Sequence, residues 1–293
     1  MSSLHGKVVF ITGGARGVGA EVARRLRRRG AKLVLTDLDA APLAELAAEL
    51  GGDAHVLTVL ADVRDLPAMQ RAADAAVARF GGIDVVLANA GIACFGSVLQ
   101  VDPAAFKRVQ DVNVVGVFNT VRATLPAVIE RRGYVLVVSS LAAFTSAPGL
   151  AAYHASKAGA EYFANTLRLE VAHLGVDVGS AHMSWIDTPL VQDAKADLAA
   201  FREMLARMPG PLKRTTTVTE CGAAFVKGIE RRKKRIYSPR WVGVFRWIRP
   251  LVSTPLAERD IRRFTPELLP ELDAEATALG RNTSARTEAL EKQ

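Results

Sequence analysis

The residues of this chain best suited to chemistry cluster between Ser139 and Lys157, in the run S-S-L-A-A-F-T-S-A-P-G-L-A-A-Y-H-A-S-K. Tyr153 and Lys157 stand four apart at the head of a pattern (Ala155, Ala158, Ala160, Phe163, Leu167) that suits a helix, so both side chains fall on one face. A phenol with a reference pKa of about 10 is a poor proton shuttle at neutral pH, but a cation beside it favours the phenolate. At roughly 5 Å and an effective dielectric of about 20, Coulomb's law gives an upper bound of about 3 kcal/mol, or about two pKa units. The spacing therefore predicts that Lys157 draws Tyr153 down into the range useful for general acid–base work. Ser140 follows the apolar run Tyr134 to Val138, which reads as a buried strand, so its hydroxyl is expected at the strand's carboxyl end, where ligands collect in open α/β sheets. By itself a Y-x-x-x-K pair more often describes a surface helix that happens to carry a tyrosine and a lysine.

The elements that must position this pair begin at the amino terminus. Val8 to Ile11 is a short β-branched run ended by T-G-G-A-R-G-V-G, after which Ala20, Val22, Ala23 and Leu26 start a helical pattern closed by Gly30. Strand, glycine turn and helix in that order form a dinucleotide-binding opening: Gly13 permits the tight turn, and Gly17 and Gly19 remove side chains where backbone approaches a pyrophosphate. The next strand, Lys32 to Thr36, leads into Asp37, whose carboxylate is placed to accept a ribose 2′-hydroxyl and repel a 2′-phosphate. Asp39 serves as the N-cap of the helix that follows, which leaves Asp37 for the ligand, while Arg16 pulls the other way by welcoming a phosphate. Beyond these come helix Pro42 to Leu50, strand His55 to Leu60, helix Leu66 to Phe80, strand Ile83 to Ala88, a long helical region from Pro103 to Arg131, and the strand before Ser139. Strands separated by helical stretches predict βαβ units, hence an α/β fold with a doubly wound parallel sheet and helices on both faces.

Taken together, these residues resemble the short-chain dehydrogenase/reductase family in its single-domain, Rossmann-like form. The likeness runs continuously from about Lys7 to Thr188. T-G-x-x-x-G-x-G is Thr12 to Gly19, including Gly13, Arg16, Gly17 and Val18; the acid at the adenine is Asp62, followed by Val63; N-A-G is Asn89, Ala90 and Gly91. The resemblance implies that Tyr153 is the general acid–base, that Lys157 holds the nicotinamide ribose and lowers the tyrosine pKa, and that Ser140 polarises the substrate oxygen. It implies further that Asn113 anchors a water between Lys157 and solvent, and that Thr188 meets the nicotinamide carboxamide. The expected activity is hydride transfer between NAD, or less favourably NADP, and a secondary alcohol or ketone. Family members are commonly dimers or tetramers, so a homo-oligomer is expected. An NADPH-dependent carbonyl reductase and a cofactor-binding scaffold recruited through its carboxyl-terminal segment are the rival readings; the intact set of Asn113, Ser140, Tyr153 and Lys157 opposes the second.

The sequence departs from the family pattern twice. Where P-G commonly follows the sixth strand (Val176 to His182), this chain has Met183-Ser184, so the loop to Thr188 should take a different path. Near the end, K-K-R-I-Y-S-P-R replaces the usual last strand and glycine-rich finish, and an extension follows. The expected organisation is a catalytic domain over 1–238, with 183–212 covering the substrate, and an extension over 239–293. Apolar residues from Met183 to Leu212 suggest an apolar, sterol- or lipid-like substrate, or equally a lid packed onto the domain or a partner subunit. Thr217 and Glu220 form a capping box for a helix through Ile229.

The chain's 293 residues and 49% apolar content suffice for a sizeable core. Its two cysteines, Cys94 and Cys221, lack metal-binding spacing and predict a reduced interior and no metal. The opening M-S-S-L-H-G-K leaves no room for a signal peptide, and no apolar run approaches the roughly 20 residues of a membrane span, so a cytoplasmic protein, at most peripheral at a membrane, is expected. The formal charge of +8 is local: nine Lys or Arg stand between Lys227 and Arg249 against the single acid Glu230. That pattern argues against a general nucleic-acid surface. Residues 227–252 suit an anionic membrane surface instead, with Trp241, Val244, Phe245 and Ile248 on one helical face; docking of that face onto the chain's own domain or a second subunit is the alternative. A helix is expected to start at Thr265-Pro266, and the polar tail from Arg281 to Gln293 is expected to be disordered.

Overall fold

The computed structural model describes residues 4–291, so Met1 to Ser3 of the opening stretch and Lys292 and Gln293 of the tail lie outside the described residues. Seven parallel strands form one sheet in the order β3-β2-β1-β4-β5-β6-β7. They are β1 (Val8–Thr12), β2 (Lys32–Asp37), β3 (Val56–Leu60), β4 (Val85–Ala88), β5 (Tyr134–Val138), β6 (Asp177–Met183) and β7 (Arg235–Ser238). Alternation within the apolar strands assigns the faces. Val9, Ile11, Leu33 and Leu35 meet Val22 and Leu26 of α1 (Gly17–Arg28), Leu43 and Leu46 of α2 (Ala40–Glu49) and Phe225 and Ile229 of a later helix, α9 (Val218–Glu230). Val8, Phe10, Val34 and Val86 meet α3 (Leu66–Phe80), α5 (Gly116–Glu130) and α6 (Ala151–Val171) on the other face. Cover on both faces explains why β1, β4 and β5 are buried along their whole length and read as continuous apolar runs.

The order reverses between β1 and β4, which opens a crevice at the carboxyl ends of those strands, where the glycine turn and the N-A-G loop emerge. Connections run through α4 (Pro103–Gln110), α7 (Pro189–Asp197) and α8 (Ala199–Arg207), and the extension adds α10 (Val242–Trp247), α11 (Arg249–Val252), α12 (Arg259–Leu279) and α13 (Ala285–Glu291). Among the described residues, one helical stretch, Pro103–Glu130, is long and apolar enough to cross a membrane, and half of its most apolar window is buried inside the fold.

Four expectations are corrected. A last strand is present: Arg235 to Ser238 pairs in parallel with Ser180 to Met183. Ile236 and Ser238 point into the fold while the preceding lysines and arginines stay in water, so the charge run marks the turn and masks the strand. The helical region from 103 is interrupted by a π-helical turn, Asp111–Val115, because an inserted residue leaves apolar periodicity almost unchanged. α12 begins six residues before Thr265, and both its prolines, Pro266 and Pro270, sit on the exposed side while Phe264, Leu268, Leu272 and Ala276 form the stripe that buries it. Residues 281–291 pack against the fold: Arg281 pairs with Asp197 at 2.8 Å and Glu288 with Arg108 at 2.9 Å. Those partners are distant in sequence, so composition within the tail could not reveal them.

The extension also docks differently from its helical wheel. Val242 is fully buried, and Trp241 and Phe245 pack with Leu141, Phe144 and Tyr237 of the chain's own fold. Val244 points the other way, into solvent with Trp247 and Leu251.

Candidate active site

The glycine turn is shaped by contacts that exclude side chains. Gly13 has φ +62°, and a Cβ there would lie 2.9 Å from Ala90 Cα; at Gly19 it would lie 2.2 Å from the Gly13 carbonyl oxygen. Thr12 Oγ1 accepts hydrogen bonds from the Asn89 and Ala90 amides at 3.1 and 3.2 Å, and Asn89 Nδ2 donates to the Thr12 and Gly13 carbonyls, both at 3.0 Å. The glycine turn and the N-A-G loop are therefore stapled together. Between them and α7 lies a cleft of about 290 Å³, lined by Gly13, Arg16, Gly17, Val18, Asp37, Asp62, Val63, Asn89, Ala90, Gly91, Tyr153, Lys157 and Thr188. Thr12 and Gly19 do not line it and support it from behind.

Asp37 accepts from the Ala15 amide at 3.0 Å and the Leu38 amide at 2.8 Å, so it braces the turn from the second strand. Asp39 sits at the N-cap position of α2, but its carboxylate makes no cap bond and instead takes the Arg16 guanidinium at 2.8 Å. Arg16, the feature that would welcome an extra phosphate, is thus already paired with an acid. Asp62 is held by the amide and side chain of Arg64, each at 2.8 Å.

Tyr153 lies in the first turn of α6 and Lys157 one turn later, with the ammonium 5.7 Å from the phenol ring centre and donating to the Val138 carbonyl at 3.1 Å. Burial lowers the Lys157 pKa to about 8. Burial raises that of Tyr153, and a hydrogen bond with Ser140 only partly offsets this. The expectation that Lys157 draws the phenol down is therefore corrected: both groups are desolvated, and the ammonium is directed to a carbonyl. Ser140 Oγ donates to the Met183 carbonyl at 3.3 Å and accepts from the Ala142 amide at 3.1 Å. Asn113, fully buried in the π-turn, donates to the Ile92 carbonyl and Ser156 Oγ and accepts from the Ile92 amide, each at 2.9 Å. Its side chain thus ties the N-A-G loop to α6 and is not among the cleft's lining groups.

A second cavity, about 430 Å³ and largely apolar, adjoins the cleft. Phe95, Leu150, Trp185, Phe201, Met208 and Leu212 line it, with Phe201 packed edge-on against Phe95 and Trp185 at 5.0 and 5.5 Å. Tyr153, Met183, Thr188 and Leu190 border both spaces. Within the 183–212 segment the two alternatives divide by residue: Trp185, Ile186 and Met208 face the cavity, whereas Leu198, Met204 and Leu205 are buried away from it, in packing. Phe245, Ile248, Val252 and Ile261 of the extension complete the wall, and their helical spacing was the available signal. Ser184 Oγ lines the cavity buried and without a hydrogen-bond partner.

Two histidines with no role assigned from sequence also bear on the site. His154 receives the Ala147 amide on Nε2 at 3.1 Å, while its Nδ1 lies 2.9 Å from the Ala142 carbonyl; burial lowers its pKa, so the neutral ring clamps the loop beside Ser140. His182, fully buried, stacks on Phe144 at 4.5 Å, lies 3.3 Å from the Ser140 carbonyl through Nδ1, and meets Glu161 at 2.7 Å. Burial raises the Glu161 pKa, but hydrogen bonds from His182 and Asn165 and the charge of Arg235 outweigh it, leaving a value of about 2.

A family model described as short chain dehydrogenase matches residues 7–199. An uncharacterized NAD-dependent oxidoreductase of Mycobacterium tuberculosis is 35% identical over 225 residues, covering 71% of this chain and 80% of its own length. The 11-beta-hydroxysteroid dehydrogenase 1A of Arabidopsis thaliana is 33% identical over 252 residues, covering 83% and 71% respectively. A short chain dehydrogenase/reductase from Burkholderia phymatum, solved in complex with NAD, superposes with a TM-score of 0.74 at 25% identity, over 84% of this chain and 94% of that one.

Proposed function

Because the chain belongs to the short-chain dehydrogenase family of oxidoreductases, we propose that it transfers a hydride between NAD and an apolar secondary alcohol or ketone, with Tyr153 as general acid–base. The observation that carries this reading is the position of Tyr153 on the wall shared by the glycine-turn cleft and the apolar cavity. A molecule in the cavity presents its oxygen to the phenol while the other side of that wall faces the cofactor space.

The cleft fits a dinucleotide: at Gly13 and Gly19 a Cβ would strike backbone, and the glycine turn leads into the N-terminus of α1, where a diphosphate is favoured. Asp37 would hold the adenosine ribose, Asp62 and Val63 the adenine, Lys157 the nicotinamide ribose, and Thr188 the carboxamide end. NAD supplies the redox step as hydride acceptor or donor. Tyr153 gives or takes the proton of the substrate oxygen, and Ser140, which lines the same cavity, polarises that oxygen. Asn113 fixes the loop beside Lys157. With its pKa raised, the phenol is protonated at neutral pH, which favours proton donation and hence ketone reduction there; oxidation should accelerate as pH rises.

Cofactor choice rests on Asp37 and on the Arg16–Asp39 pair. Asp37→Ser is expected to shift the NAD-over-NADP ratio of kcat/KM by about tenfold or more towards NADP, because it removes the repulsion of a 2′-phosphate. A wild type that already prefers NADP would sink this argument and favour the carbonyl-reductase reading. Screening secondary alcohols and ketones with both nucleotides, read at the nicotinamide absorbance, tests the reaction and the substrate class together. Absence of turnover with every compound, alongside intact NAD binding, would favour the scaffold reading.

The reading extends to partners. Val115, Phe118, Tyr162 and Leu169 are exposed on the π-turn, α5 and α6, which supports a homo-oligomer through that face. Trp247 is 77% exposed and Leu251 62%, beside Arg246 and Arg249, which supports contact with an anionic membrane through the outer side of α10 and α11. Each basic residue near such a surface contributes about 1 kcal/mol, screened by salt. Co-sedimentation with phosphatidylserine-containing vesicles, falling at high salt and absent with neutral vesicles, is the expected result; equal binding to both lipids, or to neither, would remove the membrane from this account.

A further inference from the structure

We propose that Arg286, on the short helix α13 of the extension, is a phosphate-binding residue of the cofactor site. The inference rests on the NAD reading above and adds to it a residue far outside the segment matched by the family model, which ends at 199.

Four residues at the carboxyl end of the chain, Ser284, Arg286, Thr287 and Leu290, line the same cleft as the glycine turn. They are held there from two sides. Arg281 binds Asp197 of α7 at 2.8 Å, Glu288 binds Arg108 of α4 at 2.9 Å, and the Asn282 amide group donates to the Phe95 carbonyl at 3.1 Å. α13 therefore bridges α4 and α7 at the edge of the cleft. Its Arg286 meets Asp193, one turn along α7 from Pro189, and Pro189 and Thr188 are the residues against which Gly17 packs. The acid it meets is thus one helical turn from the point where α7 approaches the glycine turn, where a diphosphate is expected.

Charge supplies the second part of the argument. Among the described residues, four basic side chains line the cleft: Arg16, Arg64, Lys157 and Arg286. Arg16 is paired with Asp39 at 2.8 Å, Arg64 with Asp62 at 2.6 Å, and Lys157 is buried against the Val138 carbonyl. Arg286 stands 3.7 Å from Asp193, beyond hydrogen-bonding distance, and is the least committed of the four. A diphosphate carries two negative charges that the neutral amides of a glycine turn solvate but do not neutralise. Guanidinium groups suit phosphate oxygens because their N–H donors match them in pairs. Arg286 would exchange a loose ion pair for a hydrogen-bonded one.

The test uses the full-length protein and equilibrium binding of NAD and of ADP-ribose, which shares the diphosphate and lacks the nicotinamide. Arg286→Ala should weaken both by about tenfold, as expected for loss of one charge-assisted contact, with the ligand-free melting temperature unchanged. Arg286→Lys should recover part of the loss, and Asp193→Asn should tighten both ligands by releasing the guanidinium. Wild-type affinity for ADP-ribose in Arg286→Ala, or a loss confined to NAD, would overturn the role of Arg286 and leave the NAD reading intact. A wild type that binds neither ligand would overturn that reading itself.

Discussion

Tyr153→Phe is expected to lower turnover at least about a hundredfold while leaving the NAD dissociation constant within about twofold of wild type. General acid–base groups contribute roughly 10²- to 10⁴-fold, and this substitution removes the transferable proton while keeping the ring. The ring is part of the apolar cluster of Phe95, Leu150 and Phe201, so packing survives and only the hydroxyl is lost. The comparison should be made across pH. In the wild type the raised phenol pKa keeps the acid form present through neutrality, so reduction holds there and oxidation climbs with pH. The variant should lack that dependence. Turnover within tenfold of wild type would remove Tyr153 from the chemistry.

Lys157→Met is expected to lose about a hundredfold in turnover and about tenfold in NAD affinity, yet to melt no lower than wild type at pH 7. The first two effects follow if the ammonium holds the nicotinamide ribose and, with it, the orientation of the ring that exchanges the hydride. The third follows from burial. Folding lowers the lysine pKa from its usual 10.5 to about 8, so between those values the unfolded chain binds more protons than the native one, and stability rises with pH across that window. Below about pH 8 the native state bears the full penalty of a buried charge, which methionine removes at similar volume. The same proton predicts that NAD affinity in the wild type declines as pH rises through about 8. A variant that melts well below wild type and loses activity only in proportion would show that Lys157 merely holds the fold together through Val138.

Spacing and strand order make Tyr153, Lys157, Ser140 and the glycine turn legible in the amino-acid sequence, because each lies within a few residues of the signal that marks it. Gly19 illustrates this: its neighbour is the Gly13 carbonyl, six residues away. What stays hidden depends on residues far apart in the chain. Nothing near His182 announces Glu161, and nothing near Glu161 announces Arg235, yet the three meet behind Ser140. The lysines before β7 resemble a solvated run because charge dominates their composition, whereas the strand is set by Ile236 and Ser238 finding the edge of β6. The helical wheel of α10 has the right period and the wrong surface: Val242, left off the apolar face, is its most buried residue, and Val244, placed on it, is in water. Likewise a single charged neighbour does not fix the phenol's pKa, because the larger influence is the loss of water around both groups.

The apolar cavity has two architects. Its border at Ser140 and Tyr153 comes from the segment matched by the family model, while Phe245, Ile248, Val252 and Ile261 come from beyond it. Such a division separates what can drift from what cannot. If the cavity holds the substrate, descendants of this gene could rebuild α10 to α12, and with them part of its wall, without disturbing the sheet, Ser140 or Tyr153. Selection for a new substrate would then leave traces in 183–212 and after residue 238. Swapping that portion between two homologues should exchange their preferences more cleanly than any set of point changes on the sheet.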